Sequence, residues 1–155
     1  MSQERVSVSL NHGSGRVPHD GGMALESRHL SEHIERSPEE TYTYASNPAN
    51  LSAWAPGLGS PVEEPGGRWF IETPAGRVGF AFAPRNELGV LDHYLTLESS
   101  EVIYVPMRVI PAEHGSEVIF TLRRRPGMTD TEFQADGDAV AADLARLKRV
   151  LETGT

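Results

Sequence analysis

His93 is the side chain best placed to perform chemistry, because it interrupts an otherwise apolar strand face. The segment 89–98 alternates in polarity, and its apolar face carries Leu91, Leu95 and Leu97 beside the histidine. An imidazole titrates near neutral pH and can serve as a general acid or base. A core histidine satisfied by a backbone or carboxylate partner is the structural alternative. His93 is therefore our candidate catalytic residue, and the structural interpretation stays open beside it.

Asp92 and Arg108 lie in segments that we expect to form adjacent strands. Their side chains should point to the sheet face opposite to the one that carries their apolar neighbours. A cross-strand ion pair between them would contribute only about 0.2–1 kcal/mol. The guanidinium of Arg108 could instead anchor a ligand carboxylate through two parallel hydrogen bonds. The strand register decides which of Asp92 and His93 faces inward, and the sequence leaves that open.

Aromatic and apolar residues complete the candidate ligand-binding set. Trp54 and Trp69 could each stack on a ligand ring and use the indole N–H as a polar contact, although core packing explains them equally well. Gly137 removes a side chain from a helix face, either for close packing against a bulky residue such as Phe120 or to leave room for a ligand. The full set is Trp54, Trp69, Phe80, Phe82, His93, Leu95, Met107, Arg108, Phe120, Phe133, Gly137 and Val140.

Metal, cofactor and covalent chemistry find little support. His29 and His33 have the spacing of metal ligands on a helix, but they fall in a predicted strand, where residues four apart lie far along one face. The chain has no cysteine, which excludes disulfides, thiolate zinc sites and cysteine nucleophiles. The glycine pairs match no phosphate-binding loop. We therefore predict no metal site and no cofactor.

The elements that position these residues can be predicted from periodicity and capping signals. A strand is expected within 24–36, and Ser37-Pro38 and Asn47-Pro48 each begin a short helix. Alternating segments then predict strands over 68–73, 78–82, 89–98, 102–110 and 117–124. Pro106 lies inside one of them and cannot donate to a ladder, so we expect a bulge or a strand edge there.

The last element is the clearest. Thr129 and Glu132 form a capping box that begins a long helix. Its apolar stripe consists of Phe133, Gly137, Val140, Leu144, Leu147 and Leu151. The helix must bury this stripe against the apolar face of the antiparallel sheet. The sheet is too wide for one helix to cover that face completely. The fold class predicted is thus α+β, with a cavity between a curved sheet of about six to seven strands and the C-terminal helix.

Three stretches resemble the START-like SRPBCC superfamily, which includes polyketide cyclases, lipid-transfer domains and Hsp90-activator homologues. They are the run from Ile34 to Glu40 followed by Tyr42, which contains a Ser-Pro-Glu-Glu helix start, then Asn47, Pro48, Leu51 and Trp54, and the helix from Gly127 to Leu151. The segments 86–97 and 105–109 are similar to an uncharacterised bacterial subgroup often labelled polyketide cyclase. The resemblance implies a helix-grip domain over residues 23–152. Residues 1–22 are too polar to dock, and we expect a disordered tail there.

Charge and hydropathy limit the partners. The net charge of −8 argues against nucleic acid, whose binding proteins present basic patches. No apolar run approaches the roughly 20 residues that span a bilayer, and the N-terminus lacks the features of a signal peptide. We therefore expect a cytoplasmic monomer or homodimer without membrane insertion. It would bind a small hydrophobic or aromatic molecule. The alternatives are an aromatase- or cyclase-like enzyme using His93 with Arg108 or Tyr104, and a protein-interaction role.

Overall fold

The computed structural model describes residues 25–58 and 60–154, so the predicted tail over 1–22 lies outside the described residues. Within these ranges the chain is an α+β protein with the predicted order of elements. The strands are β1 (Ser27–Ile34), β2 (Val62–Glu63), β3 (Trp69–Thr73), β4 (Gly76–Phe82), β5 (His93–Thr96), β6 (Val102–Val105), β7 (Met107–Pro111) and β8 (Ser116–Arg123). The helices are α1 (Pro38–Ala45), α2 (Leu51–Trp54) and α3 (Asp130–Thr153), and single 3₁₀ turns precede and follow α2 at Pro48–Asn50 and Pro56–Leu58.

The helices begin where the capping signals predicted. Ser37 accepts a hydrogen bond from the backbone N–H of Glu40 at 3.1 Å, ahead of α1. At α3 the capping box is complete, because Thr129 Oγ1 accepts from the Glu132 N–H and Glu132 Oε2 accepts from the Thr129 N–H, each at 3.1 Å. Local side chains therefore satisfy N–H groups that the helices cannot pair internally.

The strands form two antiparallel ladders, in the orders β1-β8-β7 and β2-β3-β4-β5-β6. The two ladders meet at an isolated bridge between Val90 and Arg108. The division falls at Pro106: its carbonyl still accepts from the Thr121 N–H at 3.0 Å, but the residues before it pair with β5 and those after it with β8. The strand predicted over 102–110 is therefore two strands, because proline has no N–H to continue the ladder.

Helix α3 packs its leucine stripe against strands of the β1-β8-β7 ladder. Leu144 and Leu147 are buried in one cluster with Ile34 of β1 and Val118 of β8. The packing of α3 is concentrated on β1 and α2. The strands of the larger ladder are consequently less completely covered by the helix, and the space between them and α3 forms the site described next.

Candidate functional site

A cavity of about 790 Å³ lies between α3, α2 with the turn that follows it, and strands β4, β5, β6 and β8. This volume falls within the range of small-molecule sites, roughly 300–1,000 Å³. The sheet wall of the cavity is mostly apolar and aromatic. It includes Phe80, Phe82, His93, Leu95, Ile103, Val105, Phe120 and Leu122, and Tyr104, Thr121 and Arg123 also line it. The opposite walls include Leu51, Trp54, Ala55, Leu58, Ala139, Val140 and Leu144.

His93 lies in this sheet wall and is surrounded by aromatic rings. Its side chain is buried, with the residue only 8% exposed. The Phe80 ring stacks on the imidazole at a centroid distance of 5.4 Å, and the Phe82 ring meets it edge-on at 5.7 Å. The Phe120 ring lies 5.9 Å away on β8. The strand alternation therefore places the one imidazole of the wall among three phenyl rings.

A backbone contact fixes the tautomer of His93. Its Nδ1 lies 3.1 Å from the Leu91 carbonyl oxygen. Because a carbonyl oxygen only accepts, Nδ1 carries the proton and Nε2 of the neutral ring is an acceptor. Burial lowers the pKa of His93 from 6.5 to about 4, and the Leu91 hydrogen bond offsets only part of that effect. The imidazole is thus neutral at physiological pH.

Charged side chains contribute to the walls on the α3 and β8 side. They are Arg123, Arg125, Asp136, Asp138, Asp143 and Arg146. Asp143 pairs with Arg146 at 2.8 Å, and Arg125 pairs with Glu101 at 3.1 Å. Burial raises the pKa of Asp143 to about 6, against the opposing effect of the Arg146 guanidinium. The cavity therefore combines an aromatic wall with a charged one.

Seven of the predicted ligand-binding residues line the cavity, namely Trp54, Phe80, Phe82, His93, Leu95, Phe120 and Val140. Trp54 is 5% exposed, and its indole N–H has no hydrogen-bond partner among the described residues. The other five predicted residues do not line it, and each has a physical reason to lie elsewhere. These five are Trp69, Met107, Arg108, Phe133 and Gly137.

Three of these five belong to other parts of the fold. Met107 follows Pro106, on the strand that pairs with β8 and contacts α1, so it is buried away from the cavity. Phe133 lies in the first turns of α3 beneath the Arg124 guanidinium, 5.9 Å from its ring centroid. Trp69 is on β3, one strand further from the cavity than Phe80, with which it pairs.

Arg108 is engaged by Asp92, as the cross-strand interpretation predicted. Its guanidinium donates to the Asp92 carboxylate, which also accepts from the Tyr104 hydroxyl. The same carboxylate accepts from the Met107 N–H at 3.0 Å, the first donor after Pro106. Both Asp92 and His93 are buried, because Asp92 closes the break in the ladder while His93 faces the cavity. Arg108 is not among the residues that line the cavity.

Gly137 faces a residue that the sequence did not suggest. A methyl group added at Gly137 would lie 2.2 Å from Nη1 of Arg28 on β1. The glycine therefore accommodates a long side chain that crosses the helix, and neither Phe120 nor open space lies opposite it. That Arg28 nitrogen is buried without a hydrogen-bond partner among the described residues.

We expect Gly137→Ala to destabilise the wild-type fold, because the Arg28 guanidinium must move away from the new methyl group. In an Arg28→Ala background the same change should stabilise the fold by up to about 1 kcal/mol, the helix-propensity advantage of alanine over glycine. Urea unfolding of the four proteins of this double-mutant cycle measures the coupling. If Gly137→Ala changed the stability equally in both backgrounds, the Arg28 side chain would not be the reason that this position requires glycine.

The small residues of the helix wall were missed at the sequence level. Ala135, Ala139 and Ala142 recur at spacings of four and three along α3, and all three line the cavity. This row runs beside the leucine stripe, so the two together span a wider face than the stripe alone. A row of alanines next to a buried stripe was the available signal for the helix wall of a cavity.

Comparisons with known proteins bear on the fold. No protein-family model and no curated protein matches the chain. Among solved structures, the Aha1 dimer from Colwellia psychrerythraea has a TM-score of 0.65 at 18% identity, covering 84% of this chain and 99% of that one. DynU16, of the dynemicin biosynthetic locus, has a TM-score of 0.63 at 14% identity, covering 83% and 48%. Ara h 8.0201 has a TM-score of 0.59 at 13% identity, covering 83% and 99%.

At these identities the likeness establishes the fold and not a shared activity. The chain has the helix-grip fold of these solved structures, which is the fold that the resemblance implied. In the described ranges, no helix is long and apolar enough to cross a membrane. Nor do three or more His, Cys, Asp or Glu side chains of that part of the chain group as metal ligands would.

Proposed function

We propose that this helix-grip domain binds a small apolar or aromatic molecule in the cavity beneath α3 and holds it without chemical change. The observation that carries the proposal is the composition of the sheet wall, where Phe80, Phe82 and Phe120 surround one buried polar side chain. Ligand pockets combine mostly apolar walls with a few placed polar groups. Either a monomer or a homodimer is compatible with this site.

The energetics favour an apolar occupant. Removing apolar surface from water stabilises a complex by about 0.8 kcal/mol for each buried CH₂ group. Aromatic rings at 4.9–5.9 Å from one another, as between Phe80, Phe82, His93 and Phe120, present faces and edges that a flat ligand can contact. A ligand with a planar apolar body therefore matches the wall best.

Catalysis by His93 is the second candidate, since the residue lies in the cavity wall. An efficient general acid or base has a pKa near the operating pH. The pKa of His93, about 4, leaves the ring almost entirely neutral at pH 7 and makes it a weak base. Of the orienting groups that we considered, Arg108 does not line the cavity, and Tyr104 lines it but already donates its hydroxyl hydrogen to Asp92. These features favour binding over acid–base turnover.

Uptake of the neutral fluorescent probe N-phenyl-1-naphthylamine tests the proposal. The wild-type protein should enhance its fluorescence in a saturable manner. Ala139→Phe, which places a ring into the cavity from α3, should weaken binding at least tenfold. Ala145→Phe is the matched control, because Ala145 is an exposed alanine of the same helix outside the cavity walls. It should bind the probe as the wild type does.

Circular dichroism and thermal melting should show that both variants keep the fold. If Ala139→Phe does not fold, Ala142→Phe at the exposed side of the same wall provides the equivalent test. Saturable uptake that both alanine variants retain equally would place the probe elsewhere. Absence of uptake by the wild type would contradict the proposal and favour a protein-interaction role, for which the exposed pair Tyr94 and Tyr104 is the first surface to examine.

A further inference from the structure

We infer that the natural ligand is a neutral aromatic molecule carrying a hydroxyl or N–H donor, and that this donor binds Nε2 of His93. The inference rests on the proposed function and specifies the chemical class of its ligand. His93 would then be the residue that determines specificity, because it is the polar side chain that stands among the phenyl rings of the sheet wall.

The hydrogen-bonding capacity of His93 is half used. Nδ1 is committed to the Leu91 carbonyl at 3.1 Å, which leaves Nε2 as an acceptor. No hydrogen bond to Nε2 is present among the described residues, although the side chain is 8% exposed and lies in the cavity wall. Among the described residues, the fully buried side-chain atoms without a partner are Nη1 of Arg28 and Nε1 of Trp54, so the unpaired Nε2 of His93 keeps surface that a molecule in the cavity can reach. A donor on a bound ligand is the partner that the cavity leaves room for.

The aromatic neighbours define the body of this ligand. The Phe80 ring lies almost parallel to the imidazole, with an interplanar angle of 27°, whereas the Phe82 ring is nearly perpendicular at 75°. The plane of the Phe120 ring is tilted by 54° from that of the imidazole. The imidazole is therefore bordered by three phenyl rings that differ in orientation. A flat ring that extends its donor in its own plane can contact these surfaces and reach Nε2 together. Phenols and hydroxylated polycyclic arenes have this shape.

The donor group of the ligand should carry neither a negative nor a positive charge. A phenolate placed at Nε2 would direct lone pairs against the lone pair of that atom, which offers no donor to replace the lost hydration. An ammonium would be exposed to the same desolvation that lowers the pKa of His93. The charged wall residues Arg123, Arg125, Asp136, Asp138, Asp143 and Arg146 lie on β8, the loop after it and α3. Within the described part of the chain, the hydrogen bond of the His93 side chain is to a backbone carbonyl and not to a charged group. The donor should therefore be neutral.

Three fluorescent probes of similar size test the inference: 2-naphthol, which donates; 2-methoxynaphthalene, which only accepts; and 2-methylnaphthalene, which does neither. Each is titrated against the wild type and His93→Phe, in which the ring is kept and the acceptor removed. The ratio of the 2-naphthol and 2-methylnaphthalene Kd values cancels general hydrophobic effects. We expect this ratio to favour 2-naphthol at least tenfold more in the wild type than in His93→Phe. The methoxy compound should behave like the methyl compound in both proteins.

A ratio that is the same in both proteins would overturn the inference while leaving the proposed function intact. Failure of all three probes to bind the wild type would overturn the proposed function itself, so the two failures are distinguishable. If His93→Phe does not fold, the ¹⁵N chemical shifts of the wild-type imidazole give a second readout. The Nε2 resonance should move on adding 2-naphthol and remain in place with 2-methylnaphthalene, and an unmoved Nε2 at saturation would refute the contact.

Discussion

Leu147→Ala should lower the free energy of unfolding by about 2–5 kcal/mol, the range for truncating a buried leucine. Leu147 has no exposed surface and lies in the α3 stripe, among core residues that include Ile34 and Val118. It does not line the cavity, so the deleted atoms leave a new void in packed surroundings. Urea unfolding followed by circular dichroism measures the loss as a lower midpoint, with little change in the slope against denaturant.

Arg149→Ala is the matched control, because Arg149 is exposed on the same helix. Surface substitutions of this kind usually change stability by less than about 0.5 kcal/mol. If the two variants lost similar small amounts of stability, the stripe would not be the face that holds α3 against the sheet. A large loss in Leu147→Ala alone would confirm that face.

Much of the fold follows from local signals in the sequence. The capping box at Thr129, the prolines after Ser37 and Asn47, and the strand alternation predicted the element order that the structure shows. Alternation also predicted which strand residues face inward, so Phe80, Phe82, Leu95 and Phe120 were assigned to the wall that they form. These signals depend on neighbours within a few residues along the chain, which a sequence displays directly.

Features that depend on distant residues were not predictable in the same way. The period of α3 identified the buried face, but it could not show that Arg28, more than a hundred residues earlier, lies over Gly137. Strand alternation places Met107 on the same face as residues that line the cavity, but Met107 itself lies outside the cavity. The reason is that Pro106 transfers the chain from one ladder to the other. Which wall a residue joins depends on the sheet topology as well as on alternation.

Lowering the pH from about 6.5 to 4 should destabilise the wild type relative to His93→Phe. In the fold the pKa of His93 is about 4, against 6.5 for an ordinary histidine such as one in the unfolded chain. Between these values the unfolded chain binds a proton that the folded protein excludes, so stability decreases as the pH falls. The separation of the two pKa values corresponds to a loss of about 3 kcal/mol at most. Urea unfolding at intervals from pH 7.5 to 4.5 measures the difference between the two proteins.

The contribution of Asp143 to stability should change with pH in the direction opposite to that of His93. The variant Asp143→Asn therefore serves as the control. The pKa of Asp143 is raised from 3.8 to about 6, so between these values the folded protein binds the proton first. Wild type should accordingly gain stability relative to Asp143→Asn as the pH falls through this range. The two effects oppose each other, and the wild-type profile alone would hide both. Parallel profiles for wild type and His93→Phe would mean that water reaches the imidazole, which would remove the basis for a neutral acceptor in the cavity.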